Sequence, residues 1–135
     1  MTGPIILVVE DEPLILADIE SALQDGGYEV VSATTAAEAM RHLEGDEAFS
    51  GLISDIRLAG EKLSGWDIAQ RAREMSPSIG VIYTSGDSGA EWASRGVPES
   101  IFVQKPFASA QIVTAISTVL NSGGGSRPGA EKADT

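Results

Sequence analysis

Residues 51–58 read "GLISDIRL", an apolar run that is typical of a buried β-strand and that leads to the carboxylate of Asp55. An aspartate at the end of a buried strand is a cap for the following turn, a metal ligand or a nucleophile. These three roles need different neighbours, so the residues at the ends of the other strands have to distinguish them.

Short apolar runs alternate with longer segments of helical period along the chain, and this order is typical of a mostly parallel sheet covered by helices. The predicted strands are 5–10, 28–33, 50–55, 79–87 and 100–106. The predicted helices are 13–27, 35–45, 65–76, 88–96 and 108–122. Together they predict a doubly wound α/β fold built on a parallel sheet of five strands.

The composition changes abruptly after Asn121. The segment "SGGGSRPGAEKADT" (122–135) is small, polar and rich in Gly and Pro, and it has no apolar face to bury. We therefore predict one folded domain over residues 1–121, followed by a disordered tail or linker stub over residues 122–135.

The chain is strongly acidic, with 9 Lys and Arg against 20 Asp and Glu and a net charge of −11. Long-range repulsion argues against nucleic acid and anionic membranes as partners. The absence of cysteine excludes disulfides, thiolate metal sites and a cysteine nucleophile. No apolar run approaches the roughly 20 residues of a membrane helix, and the first residues lack a signal-peptide pattern. A cytoplasmic location is predicted.

Polar side chains lie at the ends of the predicted strands. Glu10 and Asp11 follow the first strand, Asp55 ends the third, Thr84 lies near the end of the fourth and Lys105 near the end of the fifth. Because the carboxyl ends of parallel strands meet at one edge of a sheet, we expect these side chains to converge there.

Such a cluster demands a proton or a cation, because two carboxylates about 4 Å apart repel by about 4 kcal/mol at an effective dielectric constant of about 20. Glu10, Asp11 and Asp55 offer the oxygen ligands that Mg²⁺ prefers. With a cation shielding the carboxylates, Asp55 could attack a phosphoryl group in line and form an acyl phosphate. Lys105 would pair with one phosphoryl oxygen, and the Thr84 hydroxyl would donate to another.

Four segments in this order resemble the motifs of a known family, the receiver domains of two-component response regulators. The segments are "VVEDE" (8–12), "LISDIRL" (52–58), "VIYTSGD" (81–87) and "FVQKPF" (102–107), within a resemblance that extends over residues 4–121. The resemblance implies the flavodoxin-like receiver fold, with the strand order 2-1-3-4-5.

The resemblance also assigns roles to the phosphoryl-transfer residues. It implies that Asp55 is the phosphoacceptor and that Lys105 is the lysine that this family places beside it. Thr84 corresponds to the switch hydroxyl and Phe102 to the switch aromatic residue, where tyrosine is more common. A phosphoryl group on Asp55 is expected to draw both of these side chains inward.

The family's metal site is implied as well. Glu10 and Asp11 correspond to its acidic pair, and the backbone carbonyl of Arg57 is expected to complete a Mg²⁺ or Mn²⁺ site with Asp55. A cis bond between Lys105 and Pro106 is also implied, an isomer that is essentially restricted to bonds before proline.

The implied partners are proteins: a histidine kinase or histidine phosphotransfer protein as phosphoryl donor, and an unknown downstream protein. The surface of the fourth helix, the fifth strand and the last helix is the one that such domains use for partners, so a homodimer through it is possible. The sequence contains no helix-turn-helix pattern or other output module. The chain is therefore a single-domain response regulator or the excised receiver of a hybrid kinase or multidomain regulator, and not an enzyme with rapid turnover.

The segment 57–64 departs from the family pattern, because it is longer than in many receivers and has no proline. Its role is left open by the sequence.

Two other classes of protein are less consistent with the residues than a receiver domain. A haloacid-dehalogenase-type, Mg²⁺-dependent phosphatase needs an acid two residues after its nucleophile, where this chain has Arg57. A flavodoxin-like nucleotide or flavin binder needs a phosphate-binding loop after its first strand, where this chain has "EDEP" (10–13).

Overall fold

The structure, a computed structural model, describes residues 3–87 and 89–123 and contains a sheet flanked by helices. Its strands are β1 Ile5–Val9, β2 Glu29–Ala33, β3 Gly51–Asp55, β4 Gly80–Ser85 and β5 Ile101–Gln104. Its α-helices are α1 Pro13–Asp25, α2 Ala36–Leu43, α3 Gly65–Met75, α4 Trp92–Arg95 and α5 Ser109–Gly123. All strand pairs are parallel and the order is β2-β1-β3-β4-β5, which confirms the predicted fold.

The core lies on both faces of this sheet. Apolar residues of α1 and α5 pack on one face, and those of α2 and α3 pack on the other. Every residue of β3 and β4 is buried, because both strands lie inside the sheet and are covered on both faces. This explains why the sequence around residues 51–55 is an apolar run and shows no alternation of polar and apolar residues.

The register of the strands places the predicted site residues at one edge. Asp55 of β3 lies opposite Thr84 of β4, and Ser85 lies opposite Gln104 of β5, which directly precedes Lys105. On the other side of β3, Val9 lies opposite Ser54, so Glu10 and Asp11 follow at the same edge.

Helix α3 begins directly against this edge. Ser64 and Asp67 form a capping box that fixes the first turn of the helix. Gly65 donates its N–H to the carbonyl of Ile56 at 2.8 Å. A Cβ on Gly65 would lie 2.4 Å from the carbonyl oxygen of Asp55, so only glycine allows this approach. The Ser64–Gly65 pair thereby holds the helix against the end of β3.

The fourth helix is shorter than predicted. The sequence predicts a helix over 88–96, whereas the structure has a 3₁₀ turn over Gly89–Glu91 and an α-helix of 4 residues, Trp92–Arg95. Gly96 ends the helix, because its backbone is extended (φ −70°, ψ 144°). One turn of helix leaves part of the neighbouring β5 surface uncovered, and the side chain of Phe102, which borders Trp92, is half-buried.

The last helix extends two residues beyond the predicted domain end, to Gly123. Residues 124–135, which make up most of the predicted tail, lie outside the described residues. The domain boundary at residue 121 and the disorder of the tail therefore stay predictions. Within residues 3–87 and 89–123, no helix is both long and apolar enough to cross a membrane.

Candidate functional site

Three carboxylates meet at the edge of the sheet where the strands end. Glu10, Asp11 and Asp55 each offer an oxygen, and these oxygens all lie within 4.8 Å of one another. The ammonium of Lys105 lies 3.1 Å from Glu10 Oε1 and 3.1 Å from Asp55 Oδ2. The loops after β1 and β5 and the end of β3 thus bring together four of the residues that the sequence predicted for the site.

Burial makes this cluster electrostatically demanding. Glu10 is 1% exposed and Asp55 is 6% exposed, while Asp11 is half-buried. Burial raises the pKa of Glu10, against the hydrogen bond from the Glu12 N–H, and the nearby charge of Asp55 adds to the increase. Burial also raises the pKa of Asp55, although the ammonium of Lys105 opposes it. The single ammonium of Lys105 therefore does not offset the free-energy cost of burying the charged carboxylates of Glu10 and Asp55.

The lysine responds in the opposite sense to its burial. Burial alone would lower the pKa of Lys105, but the carboxylates of Asp55 and Glu10 outweigh it and raise that pKa. Lys105 is therefore a permanent ammonium at neutral pH, and it is fixed between the two most buried acids.

The residues present fit a hard divalent cation. Carboxylate oxygens are the ligands that Mg²⁺ and Mn²⁺ prefer. Within the described part of the chain, no donor makes a well-formed hydrogen bond to the buried Oε1 of Glu10, although the Lys105 ammonium lies close to it. Three carboxylates that share one ammonium retain an excess of negative charge, which a divalent cation and its bound water would stabilise.

These electrostatics predict that Asp55→Asn stabilises the domain in buffer without divalent cations. The raised pKa means that the folded state disfavours the charged carboxylate. The stability associated with this group is fully present below the pKa of the unfolded chain and is lost as the pH rises through the raised folded pKa. The variant should therefore melt several degrees higher than the wild type at neutral pH, and the two should converge in acid. An equal or lower melting temperature at neutral pH would show that the Lys105 pair outweighs burial.

Thr84 lies next to the acid cluster, whereas Phe102 lies outside it. Thr84 is 1% exposed and is the strand neighbour of Asp55, and its carbonyl accepts the N–H of Ile56 at 3.0 Å. Phe102 pairs with Tyr83 in the sheet and packs on the face that carries α3. Its ring centroid is 6.4 Å from that of Trp92, so Phe102 borders α4 and lies outside the acid cluster.

Two further expectations concern the backbone. The Lys105–Pro106 bond is cis, as the family resemblance implied. The resemblance assigned the carbonyl of Arg57 to the metal site. The backbone N–H of Arg57 acts against the effect of burial on Asp55 and lowers the pKa of that carboxyl.

Sequence reasoning missed two contacts of the segment 57–64. The N–H of Ala59 donates to Asp11 Oδ2 at 3.0 Å. The guanidinium of Arg57 pairs with Asp87 at 2.9 Å and lies 3.9 Å from Glu91, so it links this segment to the loop after β4. The unusual length of the segment was the one signal in the sequence that pointed to it.

Comparison with known proteins identifies the family. The sequence model of the response regulator receiver domain matches residues 6–117. A response regulator receiver protein from Sinorhizobium medicae WSM419 is 41% identical, with a TM-score of 0.86, and the match covers 90% of this chain and 97% of that one. The receiver domain of sensor histidine kinase PA1611 from Pseudomonas aeruginosa, which has a magnesium ion in its active-site cleft, shares the fold at 23% identity and a TM-score of 0.76, over 90% of this chain and 100% of that one.

Curated relatives are longer. The transcriptional regulatory protein PrrA of Mycobacterium tuberculosis is 28% identical over 122 residues, which are 89% of this chain and 51% of that protein. The chain thus spans about half the length of this relative. The match of the family model over most of the described residues, on a fold with the same strand order, shows that the chain belongs to the response regulator receiver domain family of two-component signal transduction.

Proposed function

We propose that Asp55 accepts a phosphoryl group from a histidine kinase or histidine phosphotransfer protein, and that the phosphorylated domain signals through altered protein contacts. The observation that carries this proposal is the position of the Asp55 carboxylate. It ends a fully buried strand, lies 3.1 Å from the ammonium of Lys105, and shares its space with two more acids.

The transfer is a substitution at phosphorus. A carboxylate oxygen of Asp55 forms the new P–O bond while the P–N bond to the donor histidine breaks. The imidazole, protonated at its other ring nitrogen, takes the electron pair of that bond and leaves as the neutral ring. The ammonium of Lys105 stays within reach of a phosphoryl oxygen, and the Thr84 hydroxyl on the neighbouring strand donates to another. These residues orient the group and offset its charge.

A divalent cation completes the proposed site. Mg²⁺ or Mn²⁺ would be held by Glu10, Asp11, Asp55 and the backbone carbonyl of Arg57. The ion supplies charge neutralisation between the carboxylates and the incoming phosphoryl oxygens. The receiver domain of PA1611, which shares this fold, holds a magnesium ion in its active-site cleft.

The donor is expected to dock beside α1 and the loop after β5. Leu14 in the first turn of α1 is 83% exposed, although it is a large apolar side chain. Next to it, a cavity of about 330 Å³ is lined by Ile15, Phe107 and the Lys105–Pro106 pair, among others. An apolar surface that reaches Lys105 suits a helical partner that must bring a histidine to Asp55.

The downstream surface is expected on α4, β5 and α5. A groove of about 480 Å³ lies between β5 and α5. Helix α5 has no charged residue, in a chain with a net charge of −11, so two copies that meet through this helix bring none of its side chains into like-charge contact. A homodimer or an unknown downstream protein would use this face, in the cytoplasm.

The same site is not expected to turn over rapidly. A phosphatase of the aspartate-nucleophile type needs a general acid or base beside its nucleophile, and here the side chain two residues later is the guanidinium of Arg57, paired with Asp87. We therefore expect transfer to Asp55 followed by slow loss of the phosphoryl group.

The direct test uses the wild-type protein with phosphoramidate, a small donor with a P–N bond, and Mg²⁺. Intact-mass spectrometry should detect one added phosphoryl group, which hydroxylamine should remove because an acyl phosphate is labile to it. No modification, or a modification that resists hydroxylamine, would contradict the proposal.

Asp11 and Glu12 offer a matched pair for the metal site. Asp11 belongs to the carboxylate cluster, whereas Glu12 is exposed and is not a member of it. Asp11→Ala should weaken Mg²⁺ binding and slow phosphorylation by about tenfold or more, while Glu12→Ala should change both much less. Calorimetric titration with Mg²⁺ and the rate of phosphorylation by acetyl phosphate measure the two effects. Equal effects of the two substitutions would place the metal elsewhere.

A further inference from the structure

The segment 57–64, which we call the 57–64 loop, forms a closed turn beside the acid cluster. Its base is joined by the hydrogen bond from the Gly65 N–H to the carbonyl of Ile56, at 2.8 Å. Within it, the Glu61 N–H donates to the carbonyl of Leu58 at 3.1 Å, and Leu58 itself is 5% exposed. Gly60, at the tip, has a φ of +73°. The hydrogen bonds within the loop and the burial of Leu58 thus fix its backbone conformation.

This turn aims one backbone donor at the acids. The N–H of Ala59 lies 3.0 Å from Asp11 Oδ2, and the two residues are 48 positions apart in the chain. Asp11 is the least buried of the three acids, and of the three it is the one that the Lys105 ammonium does not contact at 4.0 Å or less. A hydrogen bond from a fixed backbone group is therefore what holds this carboxylate in place.

The bond leaves Asp11 able to hold a cation. A carboxylate has two oxygens and about four lone-pair sites, so Oδ2 can accept the Ala59 N–H while Oδ1 remains available. Hydrogen bonds of this kind orient metal ligands, and their removal typically costs about 10- to 100-fold in metal affinity.

We infer that Ala59 is a positioning residue for the divalent cation: its backbone N–H orients Asp11, and the 57–64 loop exists in its extended form to present that N–H. This inference rests on the metal site proposed above. Loop closure and cation binding must then favour each other by the same factor, because a coupling between two equilibria is reciprocal. Mg²⁺ should hold the loop closed, and an open loop should bind Mg²⁺ less tightly.

Ala59→Pro tests the donor, because proline has no backbone N–H. The variant should bind Mg²⁺ about tenfold more weakly or worse, measured by NMR titration of the amide shifts near the site. The conservative variant Ala59→Gly keeps the N–H and should retain most of the affinity. Unchanged or tighter Mg²⁺ binding by Ala59→Pro would overturn the inference, since the bond would then be neutral or compete with the cation.

Gly60 offers a matched pair that leaves Ala59 and the acids intact. A Cβ at Gly60 would meet nothing within 4 Å, so a side chain there has room. Asparagine tolerates a positive φ, whereas a β-branched residue does not. Gly60→Val should therefore open the loop and weaken Mg²⁺ binding several-fold, while Gly60→Asn should bind nearly as the wild type does. Equal affinities of the two variants would count against the role of the loop.

Hydrogen exchange of the wild type provides a readout without any substitution. Addition of saturating Mg²⁺ should slow exchange of the Ala59 amide by the same factor by which loop closure favours the cation. Unchanged exchange would overturn the coupling.

If the wild type shows no saturable Mg²⁺ binding, the metal site itself fails and this role of Ala59 fails with it. Normal binding by the wild type together with an unaffected Ala59→Pro variant overturns only the positioning role.

Discussion

The Asp55→Asn variant is expected to gain no phosphoryl group from acetyl phosphate and Mg²⁺, under conditions in which the wild type gains one. The amide differs from the carboxylate by one polar group and has nearly the same shape, but its oxygen is a poor nucleophile and forms no acyl phosphate. Since Lys105 and Thr84 stay in place, the loss is attributable to the nucleophile. We expect this to be the largest effect of any single substitution in the domain.

Intact-mass spectrometry followed by hydroxylamine treatment measures the result. Asp46→Asn is a suitable control, because Asp46 is exposed and lies before β3, at the opposite edge of the sheet from the site. That control should be phosphorylated as the wild type is. If Asp55→Asn were modified to the same extent as the control, the phosphoacceptor would be another residue.

The elements of the fold were predictable because each is encoded by a local pattern. Strands that are covered on both faces must be continuously apolar, and helices on a sheet must place apolar residues on one side. These two periods are visible in a single sequence. The fourth helix was overestimated for a physical reason: its predicted range includes two glycines, Gly89 and Gly96, and the extended backbone at Gly96 ends it.

The acid cluster was predictable for a topological reason. Once the sheet is parallel, the ends of its strands must meet, so Glu10, Asp11, Asp55 and Lys105 could be brought together although up to 95 positions separate them. The site residues could be recognised in the sequence because they are charged side chains that directly follow or end apolar strands.

The contacts of the 57–64 loop were not predictable in this way. A backbone N–H is present at every residue except proline, so nothing in the letter for Ala59 marks it as a donor to Asp11. The pair of Arg57 and Asp87 joins two exposed side chains from different loops, and charged residues at such positions have many possible partners. Loop conformation decides these contacts, and a sequence pattern does not encode it.

The switch requires an element with two arrangements whose balance the new charge changes. In this structure, two hydrogen bonds fix the segment 97–100, which follows α4. Tyr83 Oη accepts the N–H of Val97 at 3.0 Å, and Trp92 Nε1 donates to Ser100 Oγ at 2.9 Å. Tyr83 directly precedes Thr84 on β4 and pairs with Phe102 on β5. A shift of Thr84 toward Asp55 would therefore change the packing of the Phe102 ring and the position of α4.

Thr84→Ala is accordingly expected to separate phosphorylation from its consequence. The variant should still be phosphorylated on Asp55, because its nucleophile, Lys105 and the acids are intact. It should lose most of the phosphorylation-dependent change over residues 86–110, because alanine at position 84 has no hydroxyl to make a charge-assisted hydrogen bond to the phosphoryl group and so to free space for Phe102.

Amide NMR shifts over residues 86–110, recorded with and without phosphorylation, measure this coupling. The fluorescence of Trp92, which is 37% exposed and borders Phe102, gives a second readout. Thr84→Ser keeps the hydroxyl and should preserve the changes, so it controls for the loss of the methyl group. If Thr84→Ala showed shifts as large as those of the wild type, the hydroxyl would not be the link. The phosphoryl charge would then have to act on α4 by another route, of which the Arg57 side chain, paired with Asp87 and close to Glu91, is the nearest candidate.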